Sequence, residues 1–135
     1  MKSLTHLTTT VLFATLVLVF AAKTALAQDP VKVDPKHYKI EVENDQVRVL
    51  RITYGPHEKS VMHGHPSGVV IFLTAAHFKF TLPGGKSQEK RWKAGETSLA
   101  AAGKHLPENL SDKPAEAILV ELKAKPAKTK PTKTK

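Results

Sequence analysis

From residue 37 to residue 122, apolar and polar positions fall into short runs separated by turn signals. Residues 37–43 (HYKIEVE) alternate, with Tyr38, Ile40 and Val42 on one side, which predicts a half-buried strand. Asn44-Asp45 is a turn, and 46–54 (QVRVLRITY) is the next strand. Its apolar positions change parity between Val49 and Leu50, predicting a bulge or two-sided burial. Gly55-Pro56 breaks the run. Residues 69–73 (VVIFL) are apolar on both faces, as in an interior strand. Residues 77–82 put Phe78, Phe80 and Leu82 on one face, and Pro83-Gly84-Gly85 closes a hairpin. Residues 87–92 read as a polar edge strand anchored by Trp92, 97–101 as a weak strand, and 115–122 as the closing strand. Residues 29–35 are a polar, proline-bounded lead-in, and no stretch patterns as a long amphipathic helix. Short strands at this spacing predict an all-β sandwich or barrel.

The ends differ from this body. Residues 7–22 are apolar apart from threonines, and their densest part, 11–22, is too short for a membrane span of about 20 residues. Followed by Ala25-Leu26-Ala27, it reads as a signal peptide cleaved before Gln28, so the expected destination is the periplasm or the medium. The expected organisation is a signal peptide over 1–27, one β domain over 28–122 and a disordered Lys/Pro-rich tail over 123–135. The chain carries a net charge of +9, but two lysines of the leading segment and six of the tail account for all but +1 of it. A nearly neutral body has no footprint for phosphate backbones, so no specific nucleic-acid partner is expected. The tail reads as a solvated run, with weak contact to anionic surfaces as its sharper alternative. There is no cysteine, which closes lipid attachment at a cleaved cysteine and thiolate ligation, and leaves histidine, carboxylate and water as metal ligands.

Candidate chemistry concentrates in two stretches. His63-Gly64-His65 puts two imidazoles on one face of an extended strand. Gly103-Lys104-His105, followed by Glu108 and Asn109, is the second. No serine elbow or phosphate-cradling loop is present.

The order of these residues resembles that of a small single-domain cupin. Gly55 precedes His63 and His65, and Gly95, Gly103, His105 and Asn109 follow about thirty residues on, across a Pro-Gly hairpin. The resemblance implies a double-stranded β-helix (jelly roll) and a mononuclear metal held by His63, His65 and His105. Affinity should then fall below the histidine pKa of about 6.5. It also departs from the pattern: Val69 and Val70 occupy the positions of the motif glutamate, and Ala101 that of a proline. Some cupin enzymes, thiol dioxygenases among them, hold iron with three histidines and no glutamate. The expected function is therefore a metal-dependent dioxygenase- or isomerase-type enzyme acting on a small organic molecule, with Fe, Mn, Ni, Cu or Zn as the ion. The alternative is a non-catalytic cupin that binds a small ligand and has lost the glutamate, with the metal absent or structural. Small cupins commonly dimerise, and 37–43 is the strand expected to pair across a homodimer interface.

Other polar residues carry plainer expectations. His57 and Glu58 read as solvated loop residues, with a carboxylate at the barrel mouth as the alternative for Glu58. His77 belongs to a polar face, and His37 is structural. Asn109 is a turn-former, and Glu108 a candidate partner for His105.

Overall fold

The computed structural model describes residues 28–124. The expected signal peptide and all of the tail beyond Ala124 lie outside the described residues. Ten elements follow in chain order: α1 (Pro30–Val33), β1 (Tyr38–Glu43), β2 (Val47–Tyr54), β3 (His63–His65), β4 (Gly68–Phe72), β5 (Ala76–Thr81), β6 (Ser87–Trp92), β7 (Thr97–Ala100), β8 (Gly103–Asn109) and β9 (Ala115–Leu122). They form two antiparallel sheets, one in the order β1-β2-β9-β4-β7 and the other β3-β8-β5-β6. Inner faces meet across the fold: Tyr54 on β2 contacts Phe78 on β5 at 5.1 Å, and Phe72 on β4 stacks on Trp92 of β6 at 4.2 Å.

The period-two pattern explains which residues face inward. On β9, Ala115, Ala117, Leu119 and Glu121 are buried while the residues between them are not. Register sets them against Tyr54, Ile52, Leu50 and Arg48 of β2. Leu50 is fully buried, so Leu50→Ala would cost about 2–5 kcal/mol. Of the two predicted origins of the parity change at Val49 and Leu50, β2 shows burial on two sides and no bulge of its own, since it pairs with β9 in unbroken register. Val49 faces outward and Leu50 inward, and the partner strand β1 bulges between Ile40 and Val42. This bulge spoils the expected burial of β1: Tyr38 is buried, but Ile40 and Val42 are exposed on an edge strand. β4 is an interior strand and β6 an edge strand, as the pattern predicts, whereas the closing strand β9 lies at the centre of its sheet.

Two connections add detail to the expected outline. The lead-in carries the one-turn helix α1, capped by the Asp29 side chain on the Val31 N–H with Pro30 at its start. Gly68 opens β4, so only Pro66 and Ser67 carry the chain from one sheet to the other. A side chain at Gly68 would meet the Val120 carbonyl oxygen at 2.2 Å, so only glycine lets β4 lie this close to β9.

Candidate metal centre

β3 is three residues long and buried throughout. One edge pairs with β8, placing His63 directly opposite His105 and His65 opposite Gly103. On its other side, the Gly64 N–H donates to the Gln28 carbonyl, so the lead-in closes that edge. Alternation points His63 and His65 inward, and His105 lies on the same inner face. Their ring centroids are 4.9, 5.1 and 5.4 Å apart, and one ligand atom from each lies within 4.8 Å of the others.

Hydrogen bonds fix how two of the rings present themselves. The Nδ1–H of His63 donates to the Val61 carbonyl at 2.8 Å, which leaves Nε2 as the lone-pair nitrogen. That Nε2 is buried and has no hydrogen-bond partner among the described residues. An acceptor left bare in the interior costs on the order of 1–3 kcal/mol unless something completes it. The Nδ1–H of His65 donates to Glu121 Oε1 at 2.6 Å, again freeing Nε2. A carboxylate behind a ligating histidine orients the ring and raises its basicity. Glu121 is in turn held by Arg48 Nε. Burial opposes its ionisation, but the bonds from His65 and Arg48 outweigh that and keep its carboxyl below the usual range.

Electrostatics keep two rings neutral. Burial, then the neighbouring His65, lowers the His63 pKa to about 4. Burial, then His65 and His63, lowers His105 to about 3. Neutral imidazoles with free lone pairs are the state a metal ion requires. The onset of proton competition therefore moves below the ordinary value near 6.5. A buried nitrogen with nothing to bond, flanked by two more imidazoles, fits a borderline divalent ion.

The remaining residues sort clearly. Asn109 is fully buried and donates from Nδ2 to the carbonyls of Gly55 and Lys113, as expected of a turn-former. Glu108 pairs with Lys79 on the outer face, because it alternates with His105 and cannot share its side. His57 pairs with Asp112 at the surface, and His77 with Glu89. Glu58 is no free loop residue: it accepts from the Gly55 N–H, bridges to Lys36 and meets His37 Nε2 at 3.0 Å. His37 Nδ1 reaches Asp34 at 2.7 Å, and Asp34 accepts from Ser60, whose Oγ lies 3.4 Å from His63 Nδ1. Tyr38 places its ring 4.8 Å from His63 and its hydroxyl 2.8 Å from that of Tyr54.

Sequence reasoning missed Glu121, Asp34, Ser60 and Tyr38 as neighbours of the histidines. One signal for Glu121 is present, since it shares the apolar parity of Ala115, Ala117 and Leu119.

A cavity of about 350 Å³ opens beside the centre. His65 and His105 form part of its wall, and Phe72, Phe78, Phe80 and Trp92 form much of the rest.

No protein-family model and no curated protein sequence matches the chain. Solved structures do match. A cupin domain from Bordetella pertussis Tohama I superposes with a TM-score of 0.60 at 24% identity, covering 64% of this chain and 92% of its own. An RmlC-like cupin family protein with a double-stranded β-helix fold from Methanocaldococcus jannaschii gives 0.51 at 18% identity, covering 67% and 84%. An uncharacterized conserved protein with a double-stranded β-helix domain, from Klebsiella pneumoniae, gives 0.50 at 17% identity, covering 65% and 84%. Two facing antiparallel sheets, inward histidines on adjacent strands and these superpositions agree: the body of the chain is a cupin-fold domain, a small double-stranded β-helix.

Proposed function

We propose that this is an exported cupin that holds one divalent transition metal through His63, His65 and His105 and acts on a small organic molecule in the adjoining cavity. The observation that carries the reading is the buried, unpartnered Nε2 of His63 facing two further imidazoles. Three protein ligands leave coordination positions for water or substrate, as catalytic sites require. When bound, the ion would supply Lewis acidity or a redox centre. The chain's own residues do the rest. Glu121 and the Val61 carbonyl orient two of the rings. Tyr38 packs edge-on against His63, and aromatic side chains line the cavity beside the rings. These features support a dioxygenase- or isomerase-type activity with Fe, Mn, Ni, Cu or Zn as the candidate ion.

The second reading, a ligand-binding module without metal, draws support from Val69 and Val70 standing where the motif glutamate would be. Metal analysis of the protein after exposure to Fe²⁺, Mn²⁺, Ni²⁺, Cu²⁺ and Zn²⁺ separates the two. One equivalent retained after desalting is the expected result, and a metal-free protein would leave the binding module. Periplasmic or secreted placement rests on the leading segment alone. A homodimer is part of the proposal, supported by the exposed Ile40 and Val42 on the edge strand β1. Sedimentation as a monomer at micromolar concentration would remove it.

A further inference from the structure

Which small molecule the cavity takes can be read from its wall. The inward positions of β6 follow from register. Trp92 lies opposite Ala76, Lys90 opposite Phe78, and Gln88 opposite Phe80. Paired residues point to the same side of a sheet, so Lys90 shares the cavity face with two phenylalanines. On this polar edge strand Lys90 stands between Gln88 and Trp92 on the face turned to the phenylalanines. Lys90 makes no ion pair among the described residues, and it is exposed while lining the cavity. The aromatic wall around it is ordered in planes: Trp92 lies parallel to Phe72 with an interplanar angle of 16°, and Phe80 meets Trp92 edge-on at 6.2 Å. Phe80 also packs 5.1 Å from His105, so the same wall runs from Trp92 to the imidazoles.

Flat aromatic surfaces favour a flat aromatic guest, which gains offset or edge-to-face contacts beyond its buried area. The volume, about 350 Å³, lies at the small end of ligand cavities and suits one ring or two fused rings. Lys90 and Lys104 both line the cavity, against one acidic side chain, Glu116, which is already paired with Arg51, and that balance favours an anionic substituent. We propose that the cavity binds a small aromatic carboxylate, its ring against Phe72, Phe80 and Trp92, its carboxylate at Lys90, and its far edge toward His65 and His105. The inference deepens the metal-site reading by naming the ligand class for that cavity, but its test does not depend on the metal.

Trp92 is the only tryptophan, so its emission reports occupancy directly. Benzoate and 1-naphthoate, added to the full chain, should each change that emission saturably. Benzyl alcohol should bind more weakly, and cyclohexanecarboxylate more weakly than benzoate. Lys90→Ala, an exposed position that leaves the fold intact, should weaken benzoate about 2- to 5-fold and leave benzyl alcohol unchanged. His63→Ala should still respond to benzoate, even where it has lost its metal. No saturable response to either carboxylate, equal binding of cyclohexanecarboxylate, or an unaltered benzoate affinity in Lys90→Ala would each overturn the proposal. Metal retention without aromatic binding would sink this inference alone, whereas aromatic binding without metal would sink only the metal reading.

Discussion

Two buried histidine clusters lie side by side in this fold, and they are built on opposite principles. His37 is saturated: each ring nitrogen meets a carboxylate, from Asp34 and Glu58, and its face stacks on Tyr54 at 4.2 Å. His63 is only half satisfied, with Nδ1 bonded to a carbonyl and Nε2 bare. Both rings are 5% exposed or less, so burial does not distinguish them. What distinguishes them is the unspent lone pair. A ring with both nitrogens engaged holds the fold together, and a ring with one nitrogen open in the interior is set for a partner that the chain does not supply.

The sharpest way to break this contrast is to remove rings one at a time. His63→Ala or His105→Ala should abolish nearly all retained metal, whereas His37→Ala should keep a full equivalent; metal analysis after desalting checks both. Substoichiometric metal in His37→Ala at native fold would erase the distinction. The same His37→Ala change should instead lower stability by about 3 kcal/mol, because it strips Asp34 of a buried partner. Urea denaturation measures this, and an unchanged midpoint would show that Ser60 alone satisfies Asp34.

Smaller effects sharpen it further. Glu121→Gln keeps the shape behind His65 but removes the carboxylate charge, and should weaken metal affinity about 10- to 100-fold. Calorimetric titration checks it. The metal-stripped protein should also lose stability on mild acidification. His63 and His105 are held near 4 and 3 when folded, against about 6.5 unfolded. Between those values the unfolded chain binds more protons, so stability is complete above about pH 6.5 and falls with pH below it. The loss is on the order of 1 kcal/mol per ring by about pH 5.5 and should be visible in melting temperatures recorded across that range. Least of all, His77→Ala should change neither metal content nor, beyond about 0.5 kcal/mol, stability.

The architecture was legible because it depends on local periodicity. Strands β1, β2, β4, β5 and β9 are marked by alternation or an apolar run, and His63 and His65 by the strand rule that i and i+2 share a face, whereas β8 (Gly103–Asn109), with Pro107 inside it, carries no such pattern and is not legible as a strand. What was not legible is what topology brings together. Glu121 reaches His65 because β9 inserts between β2 and β4, and nothing local to 115–122 announces that neighbourhood. Ile40 and Val42 have the pattern of a buried face, yet an edge position and a one-residue bulge leave them in solvent. Glu58 and Asp34 look like loop acids in sequence, and only the fold places His37 between them.

Gly68 shows how narrow such a neighbourhood can be. It pairs in register with Glu121 and lies three residues beyond His65, so it links the ligand strand to the strand that carries the carboxylate behind it. Its missing side chain is the clearance that lets β4 close on Val120 and Glu121. In a saturation screen for metal affinity, this position should tolerate no replacement, although it touches neither the ion nor the cavity. Its sensitivity would be that of a hinge pin: a methyl group added there shifts Glu121, and the imidazole that leans on it moves too.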